Sequence, residues 1–136
     1  MGDSFVRLLG ESLALLDAHV PHAVSAMRRQ LGSMAVVIAV DDQVASVSMH
    51  RHPPVLRGDR GSAPVDVHLP RTVFDDLLDG RLSTLDALRL DRLWMRGELT
   101  DLVAFHGALQ SYVHGAVRCP GFPALLRRWR ASGEED

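Results

Sequence analysis

A run of small and β-branched apolar residues in the first third of the chain limits the folds available to it. Residues 34–40 read MAVVIAV, a nearly continuous apolar segment typical of a buried strand. The acidic pair Asp41-Asp42 follows, and a second strand-like segment runs from Gln43 to His50. Two such segments around a two-residue turn predict a β-hairpin with one face in the core.

Helical patterns precede the hairpin, so strands alone cannot account for the chain. An apolar stripe recurs at three- and four-residue spacing through Phe5, Leu8, Leu9, Leu13 and Leu16. Pro21 interrupts this helix and suits the first turn of a second one, which spans residues 22–31 and is closed by Gly32.

The rest of the chain mixes short strands with helices. Residues 52–63 hold two prolines and two glycines and predict a loop. Alternation predicts strands over 65–69 and 93–97. Short helices are expected over 73–78, capped by Thr72, and from Ser83 or Thr84 to Leu88. A long amphipathic helix begins at Thr100 and runs to about Val117, and a last helix spans 123–131. One α+β domain over residues 1–136 is the prediction.

Composition excludes several functional classes. The net charge is −2 and the chain has no lysine, so a concentrated basic surface for nucleic acid is not expected. Arg127, Arg128 and Arg130 more readily form a solvated helix face than a phosphate site.

No run approaches the ~20 apolar residues of a membrane span, and no leader pattern begins the chain. The single cysteine permits no internal disulfide and favours a reducing, cytoplasmic setting. Arginine in place of lysine is typical of a GC-rich bacterial genome.

Residues 72–105, TVFDDLLDGRLSTLDALRLDRLWMRGELTDLVAF, resemble the signature segment of the sterol carrier protein type two family. The similar features are a short helix, the turn Gly80-Arg81-Leu82, a second short helix, and a strand that ends at Gly97-Glu98. Asp91 departs from this pattern, because the family usually has glycine there. The resemblance covers about residues 34–110 and consists of structural glycines and apolar positions.

The resemblance implies a five-stranded, mostly antiparallel sheet with helices packed on one side and an apolar tunnel between the layers. Residues 100–131 would form the helices that close this cavity. The expected guest is an acyl chain, a sterol-like compound or a polyketide-like intermediate. The hypothesis requires that the strands and the long helix stand far enough apart to shelter such a molecule.

Eight apolar side chains are candidates for the wall of this cavity; ordinary core packing is the alternative for each. They are Met49, Phe74, Trp94, Phe105, Leu109, Tyr112, Phe122 and Trp129.

A second hypothesis makes the protein a biosynthetic enzyme, a cyclase or isomerase that folds a reactive intermediate in the same cavity. His114, Tyr112 and His106 are then the candidate catalytic residues, with a histidine or the tyrosine moving a proton. The two histidines lie about 80° apart around the helix, too far for a shared metal. A half-exposed helix histidine is the alternative interpretation of each.

Other polar features give weaker signals, and we expect no metal or cofactor. His50 and His52 share one face of an extended segment but lack a third ligand in reach. Asp66 and His68 would form an acid/base pair only if their face of the strand met the cavity. Cys119 is expected to be buried.

A third hypothesis is an interaction domain that docks its C-terminal arginine- and aromatic-rich helix on another protein. The expected partners are therefore an apolar small molecule, and in addition a biosynthetic enzyme or a second copy of the chain. Carriage of the small molecule is the leading hypothesis.

Overall fold

The computed structural model describes residues 4–51, 54–59, 61 and 63–134. It contains six helices and five strands in these residues. The helices are α1 (Ser4–His19), α2 (Pro21–Leu31), α3 (Arg71–Leu78), α4 (Thr84–Arg89), α5 (Leu99–Arg118) and α6 (Phe122–Glu134); the strands are β1 (Ala35–Val40), β2 (Gln43–Ser48), β3 (Val55–Arg57), β4 (Val65–Leu69) and β5 (Trp94–Arg96).

The five strands form one mixed sheet in the order β3-β2-β1-β4-β5. β1 and β2 form the predicted hairpin, with Val40 opposite Gln43 across the acidic turn. β1 and β4 are parallel, and the other neighbours are antiparallel. The predicted fold class is confirmed: an α+β domain with a mostly antiparallel sheet and helices packed along it.

The register separates two faces of the sheet. Val36 and Ile38 of β1 lie opposite Val47 and Ala45 of β2, and Val67 of β4 continues the row. These side chains belong to the apolar cluster that also contains the inner faces of the helices. The other face carries polar side chains such as Ser46, Asp66 and His68, because alternate residues of a strand point to opposite sides.

The long helix α5 packs closely against the two N-terminal helices because glycine lets the backbones approach. A Cβ atom placed on Gly115 would lie 2.8 Å from Ala23 Cβ of α2 and 3.0 Å from Leu16 Cδ2 of α1. A Cβ atom on Gly107 would lie 3.0 Å from the side-chain nitrogen of Gln30. This side of α5 is therefore tightly packed.

The C-terminal helix α6 is held against α1 and α3 by aromatic and ionic contacts. Trp129 is 4% exposed and packs against Phe74 and Phe5, with ring centroids 5.3 Å and 6.3 Å away. The Arg71 guanidinium lies 3.8 Å from the centre of the Trp129 ring and donates to the Trp129 carbonyl. Arg130 pairs with Asp75 of α3 at 3.3 Å, so charge and burial both fix this helix.

Two local predictions were wrong. Residues 52–63 were expected to be a loop, but Val55–Arg57 form edge strand β3, which is too short to give a periodic signal. Four residues of that loop lie outside the described residues: His52, Pro53, Arg60 and Ser62. Thr72 does not cap α3; the helix begins at Arg71, whose N–H donates to the Asp41 carboxylate at 3.2 Å.

Asp91, which replaces the expected glycine, adopts the left-handed conformation with φ of 56°. Aspartate tolerates this region better than most residues, so the turn is kept without glycine. Within the described part of the chain, no helix has the length and apolar character needed to cross a membrane.

Replacing Gly115 by alanine is expected to destabilise the fold by about 1–3 kcal/mol, because the added methyl overlaps Ala23 and Leu16. Gly10→Ala in α1 is the matched control. Its Cβ would meet nothing within 4 Å, so helix propensity alone should stabilise by roughly 0.5–1 kcal/mol. Urea unfolding measures both, and equal effects of the two substitutions would contradict the close approach of these helices.

Candidate functional site

An apolar void lies between the core face of the sheet and the helices. Its volume is about 60 Å³. Helices α1, α2, α3 and α5 and the hairpin strands supply the wall, and no charged side chain belongs to it. The lining residues are Leu9, Leu13, Met27, Leu31, Val36, Ile38, Val47, Met49, Phe74, Phe105, Leu109 and Tyr112.

Sequence periodicity explains how these side chains converge. Leu9 and Leu13 are four residues apart on α1, as are Met27 and Leu31 on α2, so each pair lies on one helix face. On α5 the lining residues Phe105, Leu109 and Tyr112 are separated by four and then three positions. The hairpin contributes alternate residues of its core face, which ends with Met49 just beyond β2.

The gap required by the sequence hypothesis is present but nearly closed. A volume of 60 Å³ is less than half that of an engineered cavity of about 150 Å³ that is known to admit benzene. The rings of Phe74 and Phe105 and the thioether of Met49 occupy the space between the layers. A molecule the size of a sterol or a long acyl chain therefore enters only if lining side chains or a helix move.

Five of the eight predicted wall residues line the void: Met49, Phe74, Phe105, Leu109 and Tyr112. Phe122 and Trp129 lie next to it in the same core, and the Phe122 ring centre is 6.0 Å from that of Tyr112. Trp94 does not line it. Trp94 pairs with His68 on the opposite face of the sheet and is 50% exposed.

Seven lining residues were not singled out from the sequence. All lie on apolar stripes that the periodicity does reveal, but aliphatic residues in a stripe give no signal that separates a cavity wall from filled core. Only the crossing of the helices over the sheet decides which of them meet empty space.

One polar contact stands beside the void. The Tyr112 hydroxyl donates to Ser12 Oγ at 2.7 Å, and the Ser12 hydroxyl donates to the Leu9 carbonyl at 2.8 Å. Both residues are buried, with Ser12 fully inaccessible. Burial raises the pKa of Tyr112 well above its ordinary value near 10, so its hydroxyl stays protonated at neutral pH. Ser12 gave no signal in the sequence.

The structure does not bring the three candidate catalytic residues together. His114 is exposed and His106 is half-buried on α5, and neither lines the void that Tyr112 borders. A proton shuttle between Tyr112 and a histidine across this void has no support in the described contacts.

Asp66 and His68 are in contact on the outer face of the sheet, with Asp66 Oδ1 3.0 Å from His68 Nε2. The Trp94 ring meets the His68 ring edge-on at a centroid distance of 4.8 Å. This face is opposite the void, so the pair does not reach a molecule bound there. Cys119 is buried at the end of α5, as expected, and burial raises the pKa of its thiol.

His50 Nδ1 lies 3.0 Å from Ser48 Oγ, and His52 is outside the described residues. Among the residues that the structure does describe, no group of three or more His, Cys, Asp or Glu side chains is placed to hold a metal ion.

The C-terminal arginines have different environments. Arg130 pairs with Asp75 and Asp79 of α3, and Arg128 pairs with Glu11 of α1 at 3.2 Å. Trp129 faces the core rather than the surface. The aromatic residue that the docking hypothesis placed on an interaction surface is therefore inside the molecule.

The sequence matches no protein-family model and no curated protein. The fold does match solved structures. Against the sterol carrier protein domain 2 of Helicoverpa armigera the TM-score is 0.55, with 9% identity over 73% of this chain and 80% of that one. Against the apo form of sterol carrier protein 2 from Yarrowia lipolytica it is 0.52, with 12% identity over 66% of this chain and 75% of that one.

A third match is a protein described as the UbiJ-SCP2 ubiquinone synthesis protein, with a TM-score of 0.51 and 16% identity over 63% of this chain and 73% of that one. The chain also matches a segment of the sec-alkylsulfatase Pisa1 from Pseudomonas sp. at a TM-score of 0.48 and spans 14% of that enzyme. The three matches with a TM-score above 0.5 establish that the chain has the sterol carrier protein 2 fold, and the resemblance predicted from residues 72–105 is confirmed at that level.

Loss of the Ser12 hydroxyl is expected to lower the free energy of unfolding more than loss of the Tyr112 hydroxyl. Ser12→Ala leaves the Tyr112 hydroxyl without an acceptor and should destabilise by about 1–3 kcal/mol. Tyr112→Phe leaves Ser12 bonded to the Leu9 carbonyl and should cost about 1 kcal/mol. Denaturant unfolding of the single and double variants measures this; failure of Tyr112→Phe to rescue Ser12→Ala would contradict the contact.

Because Tyr112 is the only tyrosine, its ionisation can be followed by the ultraviolet absorbance of tyrosinate. Its pKa is raised in the folded state, so the stabilisation by the neutral phenol is complete below about pH 10 and is lost as the pH rises above it. We expect tyrosinate to form only together with alkaline unfolding. A normal titration near pH 10 in protein that stays folded by circular dichroism would show that Tyr112 is accessible.

Proposed function

We propose that the protein binds and carries an apolar small molecule, such as an acyl chain, a sterol-like compound or a polyketide-like intermediate, between the sheet and the helices. The observation that carries this proposal is the void whose twelve lining residues include no charged side chain. Apolar cavities of this kind stay dry, so an apolar guest displaces no bound water.

The apolar surface that the guest buries sets an upper limit on its affinity. Burial of ~300 Å² of ligand surface contributes on the order of 7 kcal/mol at about 25 cal/mol per Å². This value alone corresponds to a Kd of roughly 10 μM. The lost freedom of the ligand and the movement of the lining residues reduce it, so the affinity is weaker than that.

The composition of the wall favours opening. Met27 and Met49 are unbranched and can adopt several rotamers at low cost, so they can move aside for ligands of different shape. Ile38 and Leu109 are only partly buried, which means that the void approaches the surface on their side. A small rotation of these side chains enlarges the space without breaking a polar contact.

The enzyme hypothesis stays a prediction without a supporting contact. Tyr112 is held protonated in its bond to Ser12, and the two α5 histidines do not border the void. Two solved proteins of this fold are described as sterol carrier proteins, which agrees with carriage of an apolar compound.

The proposal predicts that filling the void abolishes binding. Leu109→Trp places a larger ring in the space, whereas Val103→Trp puts the same ring on the 62%-exposed surface of the same helix. We expect Leu109→Trp to weaken binding of dodecan-1-ol, cholesterol or a prenylated quinone by about tenfold or more and Val103→Trp to leave it unchanged. Isothermal titration calorimetry measures both affinities.

Circular dichroism checks that each variant is folded, and Ile38→Phe provides a second filling variant from the sheet side if Leu109→Trp is unstable. Equal binding by the filled and control variants would place the ligand elsewhere. Absence of binding of every compound to the unaltered protein at high excess would contradict the proposed function.

A further inference from the structure

A second apolar hollow opens on the surface where α6 meets the ends of α3 and α5. This groove has a volume of about 310 Å³ and combines six apolar residues with three charged ones. Its lining residues are Leu78, Asp79, Ala116, Val117, Phe122, Pro123, Leu126, Arg127 and Arg130.

The groove continues the void along two helices. On α3, Phe74 lines the void and Leu78, one turn further, lines the groove. On α5, Tyr112 lines the void and Ala116, also one turn further, lines the groove. Since residues four apart share a helix face, both helices place the groove directly beyond the same end of the void.

The ring of Phe122 belongs to the groove and contacts the wall of the void. Phe122 lines the groove and packs edge-on against Tyr112 of the void at a centroid distance of 6.0 Å. Gly121, with φ of 87°, precedes Phe122 in the joint between α5 and α6. The groove and the void therefore adjoin at this pair of rings, whereas the opposite side of α5 is closed by the contacts of Gly107 and Gly115.

The two arginines of the groove differ in their ion pairs. Arg130 is paired with Asp75 and Asp79. Arg127 makes no ion pair with any residue that the structure describes and is exposed at the rim of the groove. Because Asp75 and Asp79 engage Arg130, Arg127 supplies the guanidinium that is available to a ligand in the groove. It suits one negative charge, and Asp79 disfavours a second.

We propose that the groove receives the head of a singly charged anionic amphiphile, a carboxylate, whose hydrocarbon chain extends past Phe122 into the void, and that Arg127 determines the preference for this head. The inference rests on the proposed function, because it assigns the polar end of a ligand whose apolar end lies in the void. The guanidinium donates hydrogen bonds to the carboxylate oxygens, and the void wall contacts only the chain.

Matched ligands and matched arginines test this assignment. Dodecanoate and dodecan-1-ol share a chain and differ in head charge, and Arg128 is one residue from Arg127 but pairs with Glu11 outside the groove. We expect the unaltered protein to prefer dodecanoate by roughly fivefold, the gain of about one ion pair at a partly exposed site. Arg127→Gln should abolish this preference, and Arg128→Gln, with the same change in net charge, should keep it.

The preference between the two ligands is measured by calorimetry at low ionic strength and again at high salt, where it should fall. Loss of the preference in both variants, or in neither, would overturn the role of Arg127 while binding of the chain still supports the proposed function. Absence of binding of either compound to the unaltered protein would overturn both proposals.

Discussion

The packing of the helices along one face of the sheet is the constraint on which the candidate site depends. The register of β1, β2 and β4 places Val36, Ile38 and Val67 on the face that meets the helices. An apolar sheet face and several apolar helix stripes must then fill one layer together. Where helices cross strands at an angle, their side chains do not interlock everywhere, and the void is the space that they leave.

The helices of this layer are packed more closely at α5 than at α6. Glycines at positions 107 and 115 bring α5 against α1 and α2 so closely that an added methyl group would overlap its neighbours. On the other side, α6 is fixed to α3 through the Arg130 ion pairs and the Trp129 ring, and a groove remains beside them. The side of the layer formed by α1, α2 and α5 is thus closely packed, whereas on the α6 side a groove remains. A nearly closed cavity can open on the α6 side by movement of side chains.

Much of the fold could be predicted from the sequence, because periodicity and turn residues act locally. The MAVVIAV run, the Asp41-Asp42 turn and the apolar stripe of α5 each predicted an element that the structure contains. Strand β3 could not be found in this way, since a three-residue edge strand is defined by its pairing with β2 rather than by its own pattern. The start of α3 depends likewise on a long-range contact, the bond from Arg71 to the Asp41 carboxylate.

The site was predicted less well, for a related reason. Aromatic residues are conspicuous in a sequence, and those on α3 and α5 do reach the void, but Trp94 lies on the far face because strand β5 turns it outward. Aliphatic lining residues such as Leu13 and Ile38 look like any other core position. Whether a core position borders empty space depends on the angle between layers, which no single segment encodes.

Methionine methyl groups offer the most direct measurement of whether an apolar guest occupies the space between the sheet and the helices. Met27 and Met49 line the void, whereas Met34 and Met95 contact the core outside it. With ¹³C-methyl methionine and bound dodecan-1-ol, we expect nuclear Overhauser effects from the ligand chain to Met27 and Met49 and none to Met95. Effects confined to Met34 or Met95, or none to any methionine at saturation, would contradict it.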